Sequence, residues 1–433
     1  MESFETNVKN YLKSQAPETL VECSKQALEK IQVSSDKNRD STAASLFKEG
    51  LKDLLTINPD AHSVLSRTNL CIVLTTSIKS KDIAENSKIV LEFIKETLLA
   101  KNGDACYEAN NFLSHIHESK IAYDDIISSE VLLVFKEYFN RRIHFDQLVC
   151  AAGAMRSVFS LSKHKEQTLQ ILIDSLMYCI SHIDNKITRL GVEASIALID
   201  GSPEIADHLM NMFFYDDVYA QFRHPDNNLK TEILKFFTKS ANLGVKFRRY
   251  IGEHQIADRI SAFLCHYNNE VCMECINLLE ALDYSVQKAI DNKYIITLIL
   301  HVSMSANDFR LKSFNLLEKY LYKADASQVR VISDEGYIRP FLTLAADTTN
   351  TISSDRERIL KLIKYLIVNF EILKIRIVQF DFDHAHDAEE FSCVNQLMQL
   401  MEDESSNIKI MASHILDELR KIGIVNHMNA ART

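Results

Sequence analysis

Three stretches of the sequence share one pattern: Leu229–Phe237 (LKTEILKFF), Val271–Leu279 (VCMECINLL) and Phe309–Leu317 (FRLKSFNLL). Each stretch follows a short polar turn, Asp226–Asn228, Asn268–Glu270 or Ala306–Asp308. Apolar residues recur every three or four positions, which is the spacing that places them on one face of an α-helix. The pattern therefore predicts a long helix after each turn, then a polar loop and a shorter second helix.

The pattern extends towards the N-terminus with a constant period. The residues that open successive long helices lie forty-two positions apart: Phe145, Ile187, Leu229 and Val271. Such a period is typical of armadillo and HEAT arrays, in which a repeat buries its apolar face only by stacking on its neighbours. The sequence thus predicts an all-α fold, an armadillo/HEAT-type α-solenoid built as a superhelix of stacked helical hairpins. A chain of 433 residues would hold about nine or ten such repeats.

We expect one solenoid over residues 1–433, with three parts. Residues 1–104 read as irregular N-terminal capping helices, 105–346 as regular repeats, and 347–433 as stretched C-terminal repeats. An acidic loop at 379–390 interrupts the last part. The segment Met210–Asp217 also departs from the period, and we interpret it as an aromatic-rich hinge.

Composition excludes several classes of protein. Only 9 glycines and 5 prolines occur, which is too little turn material for a β-sandwich, a barrel or a nucleotide-binding α/β sheet. A net charge of −10 disfavours nucleic acid as a partner. The sequence has no signal-peptide profile and no apolar run near the ~20 residues of a membrane span. The 9 cysteines are mostly on apolar helix faces and fit reduced thiols. We expect a cytoplasmic protein, with the nucleus as a further location.

Two clusters contain metal-ligating residue types. Cys265, His266, Cys272 and Cys275 lie within eleven residues, but Cys272 and Cys275 occupy positions where neighbouring repeats carry core residues. The second cluster is Asp381, Asp383, His384, His386 and Asp387. It lies in the acidic loop without a strand or glycine-rich context. We interpret the first cluster as core packing and the second as a solvated loop, and we predict no metal site.

Motifs for catalysis are absent from the sequence. It contains no GxxxxGK[ST], GxGxxG, HExxH or GxSxG, and nothing places a nucleophile beside a base. We therefore predict no enzyme activity, no catalytic residues, no cofactor and no small-molecule substrate.

Polar residues on the long helices are the candidate partner-binding groups. Asn277 and Asn315 occupy equivalent positions, from which they could bond the backbone of an extended peptide or form a cap or interhelical hydrogen bond. The sequence has no tryptophan, which excludes the importin-α mode of pairing each asparagine with a tryptophan. The residues predicted to contact a protein partner are Lys235, Lys239, Asn277, Asn315 and Lys319.

A family resemblance lies between Pro225 and Leu264. The segments Asn227–Ala241 (NNLKTEILKFFTKSA) and Lys246–Ile260 (KFRRYIGEHQIADRI) resemble the middle of the 26S proteasome non-ATPase regulatory subunit 5 family. The resemblance implies an assembly chaperone that binds regulatory ATPase subunits of the proteasome base and blocks their premature docking. Two alternatives remain at this point: an armadillo-type adaptor or nucleotide-exchange factor for an Hsp70 chaperone, and a generic complex scaffold.

Overall fold

A computed structural model describes most of the chain. The described residues are 3–34, 38–57, 61–100, 103–139, 145–161, 165–253, 256–304, 308–333, 338–347, 351–375, 377 and 393–421. Within these ranges the secondary structure is helical and contains no strand, which confirms the all-α prediction. The acidic loop at 379–390, with its Asp/His cluster, lies outside the described residues.

The chain forms two compact units, Met1–Leu243 and Gly244–Thr433, which we call the N-terminal unit and the C-terminal unit. The helices of the N-terminal unit are α1 (Phe4–Ser14), α2 (Pro17–Val33), α3 (Arg39–Leu46), α4 (Lys52–Leu55), α5 (Val64–Thr76), α6 (Lys81–Glu85), α7 (Ser87–Leu99), α8 (Gly103–Ser114), α9 (Tyr123–Ser128), α10 (Val131–Phe139), α11 (Phe145–Ser160), α12 (Lys165–Ile180), α13 (Asn185–Ile199), α14 (Pro203–Asn211), α15 (Phe214–Ala220) and α16 (Asn227–Asn242). Those of the C-terminal unit are α17 (Val245–Glu253), α18 (Ile256–Leu264), α19 (Asn269–Leu282), α20 (Val286–Asp291), α21 (Tyr294–Met304), α22 (Asp308–Lys323), α23 (Ala326–Ser333), α24 (Ile338–Ala346), α25 (Ser353–Asn369), α26 (Cys393–Leu400) and α27 (Ser406–Arg420). The division into capping, regular and stretched parts stays a prediction.

The forty-two-residue period corresponds to a repeated helix cap. Asp184, Asp226 and Asn268 are the N-caps of α13, α16 and α19. The side chain of Asp226, for example, accepts from the backbone N–H of Asn228 at 2.8 Å and of Leu229 at 3.4 Å. These bonds satisfy amide groups that would otherwise lack partners in the first helical turn. The predicted long helices after the polar turns are thus confirmed for α16 and α19.

The interval predicted as a polar loop contains a helix. Between each long helix and the predicted second helix of the C-terminal unit lies a short one, α17, α20 or α23. In α17 the buried residues are Phe247, Ile251 and Gly252. A helix of two turns buries so few residues that it leaves no sustained apolar period, so the sequence pattern missed it. The repeats that begin at α16, α19 and α22 therefore have three helices, as in armadillo proteins, whereas the repeat of α11 and α12 is the predicted two-helix hairpin.

Helices of the same kind stack on one another within each unit. In the N-terminal unit the long helices α2, α5, α8, α11, α13 and α16 pack in this order, each on the next. In the C-terminal unit the long helices α19, α22, α25 and α27 do the same, while α18, α21, α24 and α26 form a second row. Each repeat thus buries its apolar face against the neighbouring repeats. Among the described residues, no helix is long and apolar enough to cross a bilayer.

Small residues allow the helices to approach closely. Ala152 and Ala194, which share the same position of the repeat, are fully buried. A Cβ added at Gly191 in α13 would lie 2.8 Å from Cys179 Cβ and 3.3 Å from the backbone nitrogen of Ile180. Gly191 therefore sets the packing distance between α13 and the end of α12.

We expect Gly191→Ala to lower the free energy of unfolding by about 1–3 kcal/mol, because the added methyl group overpacks the contact with α12. The matched control is Gly153→Ala in the interior of α11, where the added Cβ would have no atom within 4 Å apart from its chain neighbours and the backbone of its own helix. The control should raise the free energy of unfolding by about 0.5–1 kcal/mol, because alanine has a higher helix propensity than glycine. Urea denaturation of both variants checks this, and equal gains in stability would contradict the close approach.

Candidate protein-binding face

The long helices of the C-terminal unit carry three of the predicted binding residues on one exposed side. We define the C-terminal ladder face as the solvent-facing polar and aromatic side chains of α19, α22 and α25: Glu274, Asn277, Glu280, Lys312, Asn315, Glu318, Lys319, Tyr322, Arg358 and Tyr365. The opposite sides of these helices are buried, as shown by Ile276, Phe314 and Leu360. The periodicity that builds the core therefore also aligns the polar residues.

The two predicted asparagines have different surroundings. Asn277 Nδ2 donates to Glu274 Oε2 at 2.9 Å, and Asn277 Oδ1 accepts from Lys312 Nζ of the next long helix. Asn315 Oδ1 is buried and has no hydrogen-bond partner. Asn277 thus forms an interhelical hydrogen bond, one of the two roles left open by the sequence. The unpaired acceptor of Asn315 is a costly feature of the folded chain.

Charged pairs connect neighbouring long helices across this face. Lys319 of α22 pairs with Glu280 of α19, and Arg358 of α25 pairs with Glu318 of α22. The Lys319 and Glu280 side chains are 54% and 44% exposed. Exposed pairs of this kind contribute only about 0–1 kcal/mol each. The small value applies to the Lys319–Glu280 pair, whereas Glu318 of the second pair is only 15% exposed.

Two tyrosines that the sequence analysis missed lie on the same face as Lys319. The rings of Tyr322 and Tyr365 are 5.0 Å apart, centroid to centroid, and Tyr322 is 44% exposed. Burial, and then the charge of Glu318, raises the pKa of Tyr322, so its hydroxyl stays protonated and can donate. The sequence contained one signal for Tyr322. It follows Lys319 by three residues, and this spacing puts both side chains on one side of α22.

The other two predicted residues lie in the N-terminal unit, on α16. Lys239 Nζ pairs with Asp200 Oδ1, just beyond the end of α13, at 2.6 Å. Lys235 Nζ pairs with Glu232 Oε1 of its own helix at 2.7 Å. The structure thus divides the five predicted residues into a group of two and a group of three, each within its own unit. Their role in binding stays a prediction.

The cysteine cluster of α18 and α19 has the contacts of core residues. Cys272 Sγ lies 3.0 Å from the carbonyl oxygen of His266, and Cys275 Sγ lies 3.4 Å from that of Ile260. Burial raises the pKa of Cys272 to about 11 and that of Cys275 well above its ordinary value. Cys265 is exposed. Thiols that donate to carbonyls and resist ionisation are poor metal ligands. In the described part of the chain no three His, Cys, Asp or Glu side chains are grouped as metal ligands.

A close serine–histidine contact in the N-terminal unit also has a packing role. His117 Nδ1 lies 2.6 Å from Ser157 Oγ, which also accepts from the backbone N–H of His117 at 3.2 Å. Ser157 is only 3% exposed. The pair fastens the segment after α8 to α11, and its burial gives a substrate no access to the hydroxyl.

No family model matches the chain, and no curated protein does either. Among solved structures, an engineered protein from a structural genomics consortium is similar over 97% of this chain and 99% of its own, with a TM-score of 0.64 and 14% identity. The two chains share a fold. A designed armadillo repeat protein in complex with the peptide (KR)4 matches 57% of this chain and 98% of its own, with a TM-score of 0.43 and 12% identity. A TM-score of that size does not by itself indicate a shared fold. The chain is an all-α helical-repeat protein.

Proposed function

We propose that the chain is a non-enzymatic scaffold that binds a protein partner along the C-terminal ladder face. The observation that carries the proposal is the ring contact between Tyr322, which is 44% exposed, and the half-buried Tyr365, on the same face as the exposed pair Lys319 and Glu280. Tyrosine is enriched among the residues that dominate interface free energy, because it supplies contact area and a hydroxyl with few rotatable bonds. The charged residues around it would set the orientation of the partner.

The double variant Tyr322→Ala/Tyr365→Ala should weaken partner binding at least tenfold, since each anchor of this kind contributes about 1 kcal/mol or more. Full-length wild type is used first to capture partners from lysate, and the affinity of each purified partner for the variants is then measured by calorimetry. Tyr178→Ala is the matched control, because Tyr178 is 41% exposed and lies on α12 of the other unit. Unchanged affinity in the double variant would refute the ladder face as the binding surface.

The finer part of the proposal is the identity of the partner. The resemblance over Pro225–Leu264 supports an assembly chaperone of the cytoplasm that binds regulatory ATPase subunits of the proteasome base and blocks their premature docking. Mass spectrometry of captured proteins tests it. Recovery of proteasomal ATPases without core-particle subunits is the expected result. Recovery of an Hsp70, with faster nucleotide release in the presence of the chain, would replace this assignment with the exchange-factor alternative.

A further inference from the structure

Two basic side chains meet on the solvent side of the last two long helices of the C-terminal unit. Lys364 Nζ of α25 lies 3.0 Å from His414 Nδ1 of α27, and the two helices pack on each other. An ammonium group can only donate, so Nδ1 accepts and the ring carries its proton on Nε2. The pair therefore presents only hydrogen-bond donors to solvent, namely the remaining ammonium N–H groups and Nε2–H.

The acidic side chains around this pair already have partners, whereas a third base does not. Each acid of α25 and α27 has one: Asp355 with Arg358, Glu357 with Asn407, Asp417 with Arg420, and Glu418 with Lys374 and Lys421. Lys361, which precedes Lys364 by one turn of α25, is exposed and has no hydrogen bond or ion pair to any described residue. We call Lys361, Lys364 and His414 the basic patch. Its charge is not neutralised by the acids of its own two helices.

Exposed aliphatic side chains lie on both sides of the donor pair. Val368, which is 51% exposed, follows Lys364 by four residues in α25, and Ile410, which is 53% exposed, precedes His414 by four residues in α27. Side chains four positions apart on a helix are neighbours. A ligand whose negative group reaches the donor pair therefore also finds apolar contacts on either side of it.

The surroundings of the basic patch favour an acidic peptide over a nucleic acid. A carboxylate can accept charge-assisted hydrogen bonds from an ammonium group, and apolar side chains of the same peptide can cover the aliphatic neighbours. A nucleic acid needs many phosphates neutralised, and the net charge of −10 would repel a long polyanion. The patch also continues the ladder face, because Tyr365 follows Lys364 directly and its ring contacts Tyr322.

We propose that the basic patch binds a protein segment in which acidic and apolar residues alternate, with its carboxylates against the patch and its apolar side chains against Val368 and Ile410. The proposal rests on the proposed function, since it gives the chemical class of the partner that the adjoining ladder face would bind.

The probe is a fluorescently labelled peptide of sequence ELEELEEL, acetylated or labelled at its N-terminus and amidated at its C-terminus. Its binding to the full-length chain is measured by fluorescence anisotropy at about 50 mM salt, where exposed charges are screened weakly. It should bind about tenfold more tightly than QLQQLQQL, which lacks the charges, and than ESEESEES, which lacks the apolar side chains.

Variants separate the patch from the net charge of the chain. Lys361→Ala/Lys364→Ala should weaken ELEELEEL binding about tenfold. The matched control is Lys13→Ala/Lys25→Ala, which removes two exposed lysines from α1 and α2 of the other unit and should leave binding unchanged. Lys361→Glu/Lys364→Glu should instead bind KLKKLKKL, so the charge preference is inverted by changes at surface positions.

Three results would overturn the proposal. One is equal affinity of ELEELEEL for Lys361→Ala/Lys364→Ala and for the control pair. Another is equal binding of ELEELEEL and QLQQLQQL by wild type. The third is tighter binding of an oligothymidylate of about the same length, which would make the patch a nucleic-acid site.

The failure of this proposal is distinguishable from that of the proposed function. If a captured partner loses affinity for Tyr322→Ala/Tyr365→Ala but not for Lys361→Ala/Lys364→Ala, the ladder face binds it and the acidic class is wrong. If ELEELEEL binding depends on the patch while captured partners bind the tyrosine variant normally, the basic patch stands and the ladder face is wrong.

Discussion

Phe236→Ala should lower the free energy of unfolding by about 3–5 kcal/mol, the range for removing a large aromatic side chain from a well-packed core. Phe236 in α16 is fully buried. Its ring centroid lies 4.9 Å from that of Tyr215, 5.4 Å from that of Phe237 and 6.1 Å from that of Phe214. The cavity left by the ring would remove contacts among α15 and α16 that no neighbouring side chain can restore. Urea denaturation followed by circular dichroism measures the loss.

The control for Phe236 is Phe213→Ala, in the turn between α14 and α15. Phe213 is 74% exposed, so its removal should change the free energy of unfolding by at most about 0.5 kcal/mol. A loss below about 1 kcal/mol in Phe236→Ala, or equal losses in both variants, would mean that this aromatic cluster is not a packed core.

Arg356→Ala should lower the free energy of unfolding by about 3 kcal/mol, because it leaves the carboxylate of Asp403 buried without its charged partner. Arg356 Nη2 pairs with Asp403 Oδ2, and Arg356 Nε donates to the carbonyl oxygen of Ala345 at 2.6 Å. The two side chains are only 7% and 10% exposed. A cavity of about 760 Å³ beside the pair admits water, so we place the loss at the low end of the usual range.

The pH dependence of this variant has a definite sign. Burial opposes ionisation of Asp403, but the Ser405 amide and Arg356 outweigh it, and the pKa of Asp403 lies below its ordinary value. The paired carboxylate therefore stabilises the folded chain above the ordinary aspartate pKa, and this contribution is lost as the pH falls through the lowered value. Arg356→Ala should show a smaller loss on acidification than wild type.

Arg358→Ala is the matched control for Arg356. Arg358 lies two residues later in α25, pairs with Glu318 and Asp355, and has a side chain that is 42% exposed. Its removal should lower the free energy of unfolding by no more than about 1 kcal/mol. The loss of stability on acidification should be the same as in wild type. Equal costs for Arg356→Ala and Arg358→Ala would show that burial of the Arg356 pair does not matter.

Local signals account for the parts of the fold that were predicted correctly. The N-caps Asp184, Asp226 and Asn268 are encoded within a few residues of the helices that they begin. The buried positions Ile187, Leu229 and Val271 follow from helical periodicity. The segment Met210–Asp217 shows the limit of local sequence patterns. Its aromatic run predicts a hinge, but Phe214 and Tyr215 are fully buried against α16. An aromatic run has the same composition in a hinge and in a core.

The sequence by itself determined the helical class, the period of the repeat and the positions of the long helices, because caps and apolar spacing act over one or two helical turns. Only the tertiary structure decided the partners of the polar residues. Lys319 contacts Glu280, Asn277 contacts Lys312, and His62 lines a pocket with Phe93, because stacking joins residues about thirty to forty positions apart. Which of these distant residues meet depends on how neighbouring helices are aligned when they pack, and local sequence patterns do not encode that alignment.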